Sequence, residues 1–152
     1  MITPILIPLF EKDLNKLTEE INLYPDDASL WILKDGIKNS GGNLCLHLSG
    51  SLQHFFGAVL SNSGYVRNRD AEFSLKNITK QKLLGEVDAA KNSVKDTLEQ
   101  ISKKDLEKPY PLKLADETVT TEHFLLFMLS HVNYHIGQIN YHRRIVTGAG
   151  KD

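Results

Sequence analysis

The chain has 152 residues, which is long enough to bury a hydrophobic core without disulfides or a structural metal. Its 41% hydrophobic and 24% charged residues are ordinary for a globular protein. The 18 basic and 19 acidic residues leave a net charge of −1, which argues against binding to nucleic acid or to an anionic membrane surface. We therefore predict a single domain over residues 1–152, with neither nucleic acid nor a membrane as its partner.

The N-terminal segment and the only cysteine bear on where the protein is found. "MITPILIPLF" has no basic residue near its start and is interrupted by Pro4 and Pro8, so it is a poor signal peptide. No run of about 18 apolar residues is present to span a bilayer. Cys45 has no second cysteine to pair with, which favours a reducing compartment. These features predict a cytoplasmic protein.

Four segments show the apolar periodicity of an amphipathic helix, and long connections separate them. They lie at residues 8–24, 43–60, 79–101 and 120–146. Pro25 ends the first segment, Thr120 or Thr121 is a suitable N-cap for the fourth, and Gly148 a suitable C-terminal stop. The stretch "PYP" at 109–111 does not suit a central strand. The pattern predicts an all-α protein, a four-helix bundle with a long crossover connection.

Histidines are concentrated on the fourth predicted helix, in "SHVNYHIGQINYHRR" at 130–144. His131 and His135 are four residues apart and project from one face, so their imidazole nitrogens can meet one metal ion. His142 lies on the same face two turns further on. The alternative is an ordinary core helix with a polar stripe, and spacing alone does not decide between the two.

A third ligand has to come from another helix, and the second helix offers His47 and His54. These two are separated by about 10 Å along the helix axis, so one ion does not take both. Spacing leaves the choice open. Cys45 faces elsewhere and is expected to be a small buried hydrophobe, and His123 is expected to be a surface residue.

Three stretches of the chain resemble the DinB superfamily, in particular its small stand-alone bacterial members. "NLCLHLSGSLQHFF" is similar to the family's "Hl.GNl" helix, and "GYVRNRDAEFS" to its "R.R..EF" loop. "SHVNYHIGQINYHRR" is similar to its closing "H..yH.GQI" helix. The matches come in the family's order and spacing, although Ser51 stands where the family usually has asparagine.

The resemblance implies a four-helix bundle that holds a divalent metal, zinc or nickel, on three histidines. Carried over position by position, these are His47, His131 and His135, so the resemblance selects His47 over His54. Some members of the superfamily are transferases or isomerases that use low-molecular-weight thiols, and others have no known activity. The resemblance also implies a homodimer. Three neutral imidazoles leave one coordination position open, as in catalytic zinc sites, for water or a substrate thiol.

Three further residues are candidates for a direct role in the site. Gln138 either orients the reacting group or braces a ligand, or it only packs within its helix. Arg67 and Arg69 either clamp a substrate anion beside the metal, or Arg–Glu pairs involving Glu72 fix their loop to the bundle while Phe73 is buried.

Other residues near these motifs are expected to have structural roles. A solvated helix end is expected at 142–144, with His142 as an alternative residue of the pocket mouth. Gly50, Gly57 and Gly137 are expected to let a neighbouring helix or loop come close.

Two functions follow from these expectations. The first is a divalent-metal-dependent enzyme, a transferase or hydrolase that uses a metal-activated thiol or water on a small-molecule substrate. The second is a non-catalytic, stress-associated dimeric bundle in which the metal only stabilises the fold. The sequence names neither the substrate nor the metal.

Overall fold

The computed structural model describes residues 1–148. Four long helical segments form its body: α1 (Thr3–Asn22), α2 (Gly41–Leu52) with its continuation, α5 (Lys80–Gln100) and α7 (Thr121–Thr147). Helix α2 continues through a π-helical segment, Gln53–Ala58, into the short α3, Val59–Ser61. The connections carry a 3-10 turn and two short helices: Ala28–Trp31, α4 (Arg69–Ser74) and α6 (Lys103–Glu107).

Most helix ends lie where the sequence predicts them, because capping residues define them. The side chains of Thr79 and Thr120 accept backbone N–H bonds at the starts of α5 and α7, and Ser40 does the same for α2. Gly148 ends α7 with a φ of 69°, the left-handed conformation that glycine adopts without strain.

The first helix begins at Thr3, five residues earlier than predicted. Pro4 falls in the first turn, where a backbone N–H has no helical partner, so the proline costs nothing there. Pro8 lies inside the helix and removes one internal hydrogen bond. The burial of Leu6 and Phe10 on either side of Pro8 offsets that loss.

The four long segments form a bundle in which consecutive helices are not always neighbours. Helix α1 packs against α5 and α7, and α2 also packs against α5 and α7. Helices α1 and α2 are therefore diagonal across the bundle, as are α5 and α7. The predicted all-α bundle is confirmed, and within residues 1–148 the chain forms no β-strand, only isolated bridges between 109 and 120 and between 114 and 117.

The contacts between the long helices also give their directions. Helix α7 runs antiparallel to α2, since Gly41 lies beside His142 at one end and Phe55 packs on Phe124 at the other. Helix α1 runs parallel to α7 and antiparallel to α5, where Lys91 donates to Thr18 and Lys80 donates to the Tyr24 carbonyl. This arrangement requires the long crossover connection that the sequence predicts.

The core is a single cluster of buried apolar side chains supplied by all four long segments. The largest fully buried members are Leu6, Phe10, Leu14, Leu17, Ile21, Tyr24, Leu30, Leu48, Leu52, Phe56, Leu83 and Leu98. Cys45 is fully buried within it, as predicted. In the described part of the chain, no helix is both long enough and apolar enough to cross a bilayer.

An ion pair is buried where α1 packs against the C-terminal half of α7. Arg143 Nε donates to Glu20 Oε2 at 2.8 Å, and the Asn140 amide donates to Glu20 Oε1 at 2.8 Å. Glu20 is only 1% exposed and Arg143 only 9%. The expected solvated helix end is therefore wrong for Arg143. Periodicity misses this position because the Glu20 carboxylate provides the partner, from a helix more than a hundred residues away.

We predict that Arg143→Ala destabilises the protein by about 3 kcal/mol, because it leaves the buried Glu20 carboxylate without its main partner. The cost is at the low end of the range for a broken buried pair, since Asn140 still donates to Glu20. Urea denaturation measures the change. Arg144→Ala, which removes an exposed arginine from the next position, is the matched control and should change stability by less than about 0.5 kcal/mol. Equal effects of the two variants would contradict the assignment.

Candidate metal centre

Three histidines from two antiparallel helices meet at one place. His47 of α2 and His131 and His135 of α7 each offer a ligand atom, and these atoms lie within 4.8 Å of one another. The ring centroid of His47 lies 5.4 Å from that of His131 and 5.1 Å from that of His135. The ring centroids of His131 and His135 are 4.4 Å apart. The structure thus groups the three histidines that the sequence singles out. Among residues 1–148, no fourth histidine, cysteine or carboxylate belongs to this group.

The Glu72 carboxylate determines which nitrogen of His47 is free to bind. Its Oε2 lies 2.9 Å from Nδ1 of His47, and a carboxylate only accepts hydrogen bonds, so Nδ1 carries the hydrogen and donates it. The lone pair of His47 is then on Nε2. A histidine that donates through its second nitrogen to a carboxylate is a common arrangement in metal sites.

Glu72 is held in turn by Arg67. The guanidinium donates from Nε to Glu72 Oε1 at 2.7 Å and from Nη2 to Oε2 at 2.9 Å, and Nη2 also donates to Ser51 Oγ at 2.8 Å. Burial alone would raise the pKa of the Glu72 carboxyl, but the hydrogen bonds with His47 and Arg67 outweigh it and hold the pKa below its ordinary value. Glu72 therefore stays ionised, and its loop is fixed to α2.

Gly50 on α2 makes room for the Glu72 carboxylate. A Cβ atom at this position would lie 2.2 Å from Glu72 Oε1, a distance that no side chain tolerates. The prediction that Gly50 permits a close approach is confirmed, and so is that for Gly57, where a Cβ would lie 2.9 Å from Ser63 Oγ. It is wrong for Gly137, because no atom of the described chain lies within 4 Å of a Cβ there.

Gln138 does for His135 what Glu72 does for His47. Its Oε1 lies 2.6 Å from Nδ1 of His135, one turn back along α7, and its Nε2 donates to the Tyr134 hydroxyl at 3.2 Å. The amide oxygen accepts, so Nδ1 of His135 donates and Nε2 keeps the lone pair. Both bonds of Gln138 stay within α7, and one of them is to His135, the contact by which Gln138 would brace that ring.

Two rings of the cluster, His131 and His135, have lowered pKa values, which favours the neutral form that binds metals. Burial lowers the pKa of His131 to about 4, with further lowering from the nearby His135, His47 and Arg67. Burial also lowers the pKa of His135, although its bond with Gln138 opposes the shift. Three imidazole nitrogen donors in one cluster fit a borderline metal such as zinc or nickel and not a hard cation such as magnesium or calcium.

Aromatic rings surround the cluster. Phe127 stacks beside His131 at 5.9 Å, Phe73 lies 4.9 Å from His47, and Tyr134 lies 5.2 Å from His135. Phe73 is half-buried, and the exposed Arg69 lies over its ring at 5.3 Å. The two candidate arginines thus differ in position. Arg67 is hydrogen-bonded to Glu72 and Ser51 behind His47, whereas Arg69 is exposed and lies over Phe73 at the edge of the site.

His54, the alternative ligand on the second helix, does not join the cluster. It lies in the π-helical segment, half-buried, with its ring edge on Phe55 at 5.0 Å. The sequence predicts an unbroken α-helix over 43–60, but a wider turn occupies Gln53–Ala58, a distortion that often occurs near functional sites. Cys45 is buried in the core, and His123 is exposed, as expected.

His142 is not a surface residue, so the expectation of a solvated helix end is wrong for it, although it lines a shallow cavity together with Gln138 and Tyr141. It is 3% exposed. Its Nε2 lies 2.8 Å from the Ile32 carbonyl and its Nδ1 lies 2.7 Å from the Tyr24 hydroxyl. The carbonyl only accepts, so Nε2 donates to it and Nδ1 accepts from Tyr24. His142 ties the 24–32 connection to α7.

The fold and the cluster define this protein as an all-α bundle with a three-histidine centre between its second and fourth long helices. Comparison with known proteins gives its family: residues 7–150 match the family described as "Protein of unknown function (DUF1572)", and the chain belongs to it. No curated protein matches the chain.

A solved structure shares the fold. It is titled "Crystal structure of the conserved protein of locus from Enterococcus faecalis" and is 16% identical to this chain, with a TM-score of 0.78. The alignment covers 97% of this chain and 98% of that one. At this level of identity, the likeness shows the fold alone.

We predict that His142 makes the stability of the protein depend on pH. Burial lowers its pKa below the ordinary value of 6.5, although its bond to the Ile32 backbone opposes the shift. Below about pH 6.5 the unfolded chain therefore binds more protons than the folded one at this position, and stability falls as the pH falls. The loss in free energy of unfolding between pH 7.5 and 5.5 should be smaller in His142→Gln, which does not titrate, than in the wild type.

Urea denaturation of metal-free protein at a series of pH values measures this difference. His123→Gln, the same exchange at an exposed position of α7, is the control and keeps the wild-type loss. A loss in His142→Gln as large as in the wild type would contradict the prediction.

Proposed function

We propose that this protein is a DinB-like, divalent-metal-dependent enzyme that holds zinc or nickel on His47, His131 and His135. The observation that carries the proposal is the convergence of three imidazoles with no fourth ligand in the described chain. Structural zinc sites use four protein ligands, whereas catalytic sites use three and leave a position open. The three motifs that resemble the DinB superfamily support the same assignment.

The metal, when bound, lowers the pKa of a water or thiol in its open position and so supplies a nucleophile at neutral pH. The chain contributes the arrangement around it. Glu72 and Gln138 fix His47 and His135 with their Nε2 atoms free, while the rings of Phe73 and Phe127 lie beside His47 and His131.

We propose a small-molecule substrate, and a low-molecular-weight thiol as the group that the metal activates. The Nε and Nη2 groups of Arg67 are engaged with Glu72 and Ser51, so the exposed Arg69 at the edge of the site is the better candidate to attract a substrate anion. Within residues 1–148, the carboxylate that contacts the cluster is Glu72, and it is paired with Arg67 and so is a poor general base. A thiol that the metal itself deprotonates needs no such base. We propose a cytoplasmic location, where such thiols are kept reduced.

The alternative is a non-catalytic, stress-associated bundle that the metal only stabilises. The hydrophobic core favours the enzyme, because it is formed by all four long helices and does not use the three histidines. A homodimer, which the DinB-like resemblance implies, is compatible with either function.

We expect the purified protein to bind about one zinc or nickel ion per chain, as a three-histidine site does. His131→Ala should lose the ion, because two imidazoles hold a divalent metal much more weakly than three. Elemental analysis after gel filtration measures the occupancy. His123→Ala removes a histidine of the same helix outside the cluster and should keep full occupancy. Equal, negligible occupancy in the wild type and in His131→Ala would overturn the enzyme proposal.

We expect metal removal to leave the fold intact and lower its melting temperature by a few degrees, because the metal stabilises only by binding the native state. Circular dichroism with and without chelator measures this change.

In the cobalt-substituted protein, a low-molecular-weight thiol should produce a thiolate-to-cobalt absorption band. Unfolding of the metal-free protein would favour the structural alternative. If the protein is folded and binds metal but gives no such band with any of several low-molecular-weight thiols, hydrolysis is favoured.

A further inference from the structure

The residues behind the cluster form a connected support that the proposed reaction does not use directly. Glu72 is 6% exposed and is the fourth of the six residues of the short helix α4, whose first residue, Arg69, is exposed. Its two oxygens receive three bonds, one from His47 and two from Arg67. The carboxylate is buried against His47 and Arg67, so it acts on the cluster through its bond to His47.

The backbone around Glu72 is fixed to α2 as well. The Asn43 side-chain amide donates to the carbonyls of Glu72 and Leu75, each at 2.9 Å. Asn43 lies one turn before His47 on the same helix, and Ser40 holds its amide oxygen. The position of α4 is therefore defined by the helix that carries His47, from both the side chain and the main chain of Glu72.

The Glu72 carboxylate lies so close to Gly50 that there is no space for a side chain at position 50. Any Cβ on α2 at position 50 would collide with the carboxylate, so the helix surface is shaped for Glu72. A glycine inside a helix costs stability relative to alanine, and here the close approach of the carboxylate explains it.

From these contacts we propose that Glu72 is a positioning residue of the metal centre: it fixes His47 in the form with hydrogen on Nδ1, and Arg67 and Gly50 hold it in place for that task. The part of the proposal that concerns metal affinity rests on the proposed function. A neutral imidazole without such a partner favours the other form, with hydrogen on Nε2, in which the nitrogen that faces the cluster has no lone pair to give. Loss of Glu72 therefore weakens the centre without removing a ligand.

Two variants test the proposal by different routes. Glu72→Ala removes the carboxylate that accepts the hydrogen bond from His47. Gly50→Ala keeps every charge and displaces the carboxylate by steric contact. Each has a matched control: Asp70→Ala removes an exposed acid of the same short helix, and Gly85→Ala adds a Cβ to a helix at a position with nothing within 4 Å.

The first measurement uses the metal-free protein and does not depend on metal binding. Nitrogen-15 NMR of the histidine rings reports which nitrogen carries the hydrogen. Wild type and both controls should show His47 with hydrogen on Nδ1, and both variants should show a shift toward Nε2. If His47 keeps hydrogen on Nδ1 in the folded variants, Glu72 has only a structural role and the proposal fails.

The second measurement is the dissociation constant for zinc, by competition with a chromogenic chelator. Both variants should bind zinc about 10- to 100-fold more weakly than wild type, the usual effect of losing a partner of a metal-bound histidine, and the controls should match wild type. Unchanged affinity in the variants would overturn the Glu72 proposal alone. A wild-type protein that binds no zinc, nickel or cobalt would overturn the proposed function, while the NMR result would still decide the role of Glu72.

Discussion

The antiparallel packing of α2 against α7 is the contact on which the candidate centre depends. His47 comes from one helix and His131 and His135 from the other, so the register between the helices sets whether three nitrogens meet. Contacts on both sides of the cluster set that register: Phe55 on Phe124 towards one end, and Gly41 against His142 towards the other. Because both contacts are packed, a slip of one helix along the other would disrupt them together with the centre.

The centre places three imidazoles close together in a partly buried position, and this has an electrostatic cost. Burial and the neighbouring rings lower the pKa of His131 to about 4, against 6.5 for the free side chain. The folded state therefore binds fewer protons than the unfolded chain between these values, and the contribution of His131 to stability is lost as the pH falls from about 6.5 towards 4. A bound divalent metal uses the same feature, since it requires the neutral rings that the fold provides.

Much of this site is visible in the sequence, and the remainder has identifiable causes. The i, i+4 spacing of His131 and His135 marks a ligand pair on one helical face, and the DinB-like motifs point to His47 as the third. The role of Glu72 is less visible, because its carboxylate works through a contact with Gly50 and His47 on another helix. The sequence holds two signals for it: Glu72 is the acid of the DinB-like "R.R..EF" loop, and Gly50 lies inside the helix that carries His47.

By itself the sequence determined the helical class, the caps at Thr79, Thr120 and Gly148, and the two histidines that share a face, because these depend on local periodicity and capping. Only the tertiary structure decided which of the charged and polar side chains are buried. Arg143 and His142 look like a solvated helix end, yet both are buried, since Glu20, Tyr24 and Ile32 arrive from distant parts of the chain to accept or donate their hydrogen bonds. A polar side chain is stable inside a protein when it has a hydrogen-bond partner there. Partners that are far apart in the sequence produce no periodic pattern by which they could be predicted.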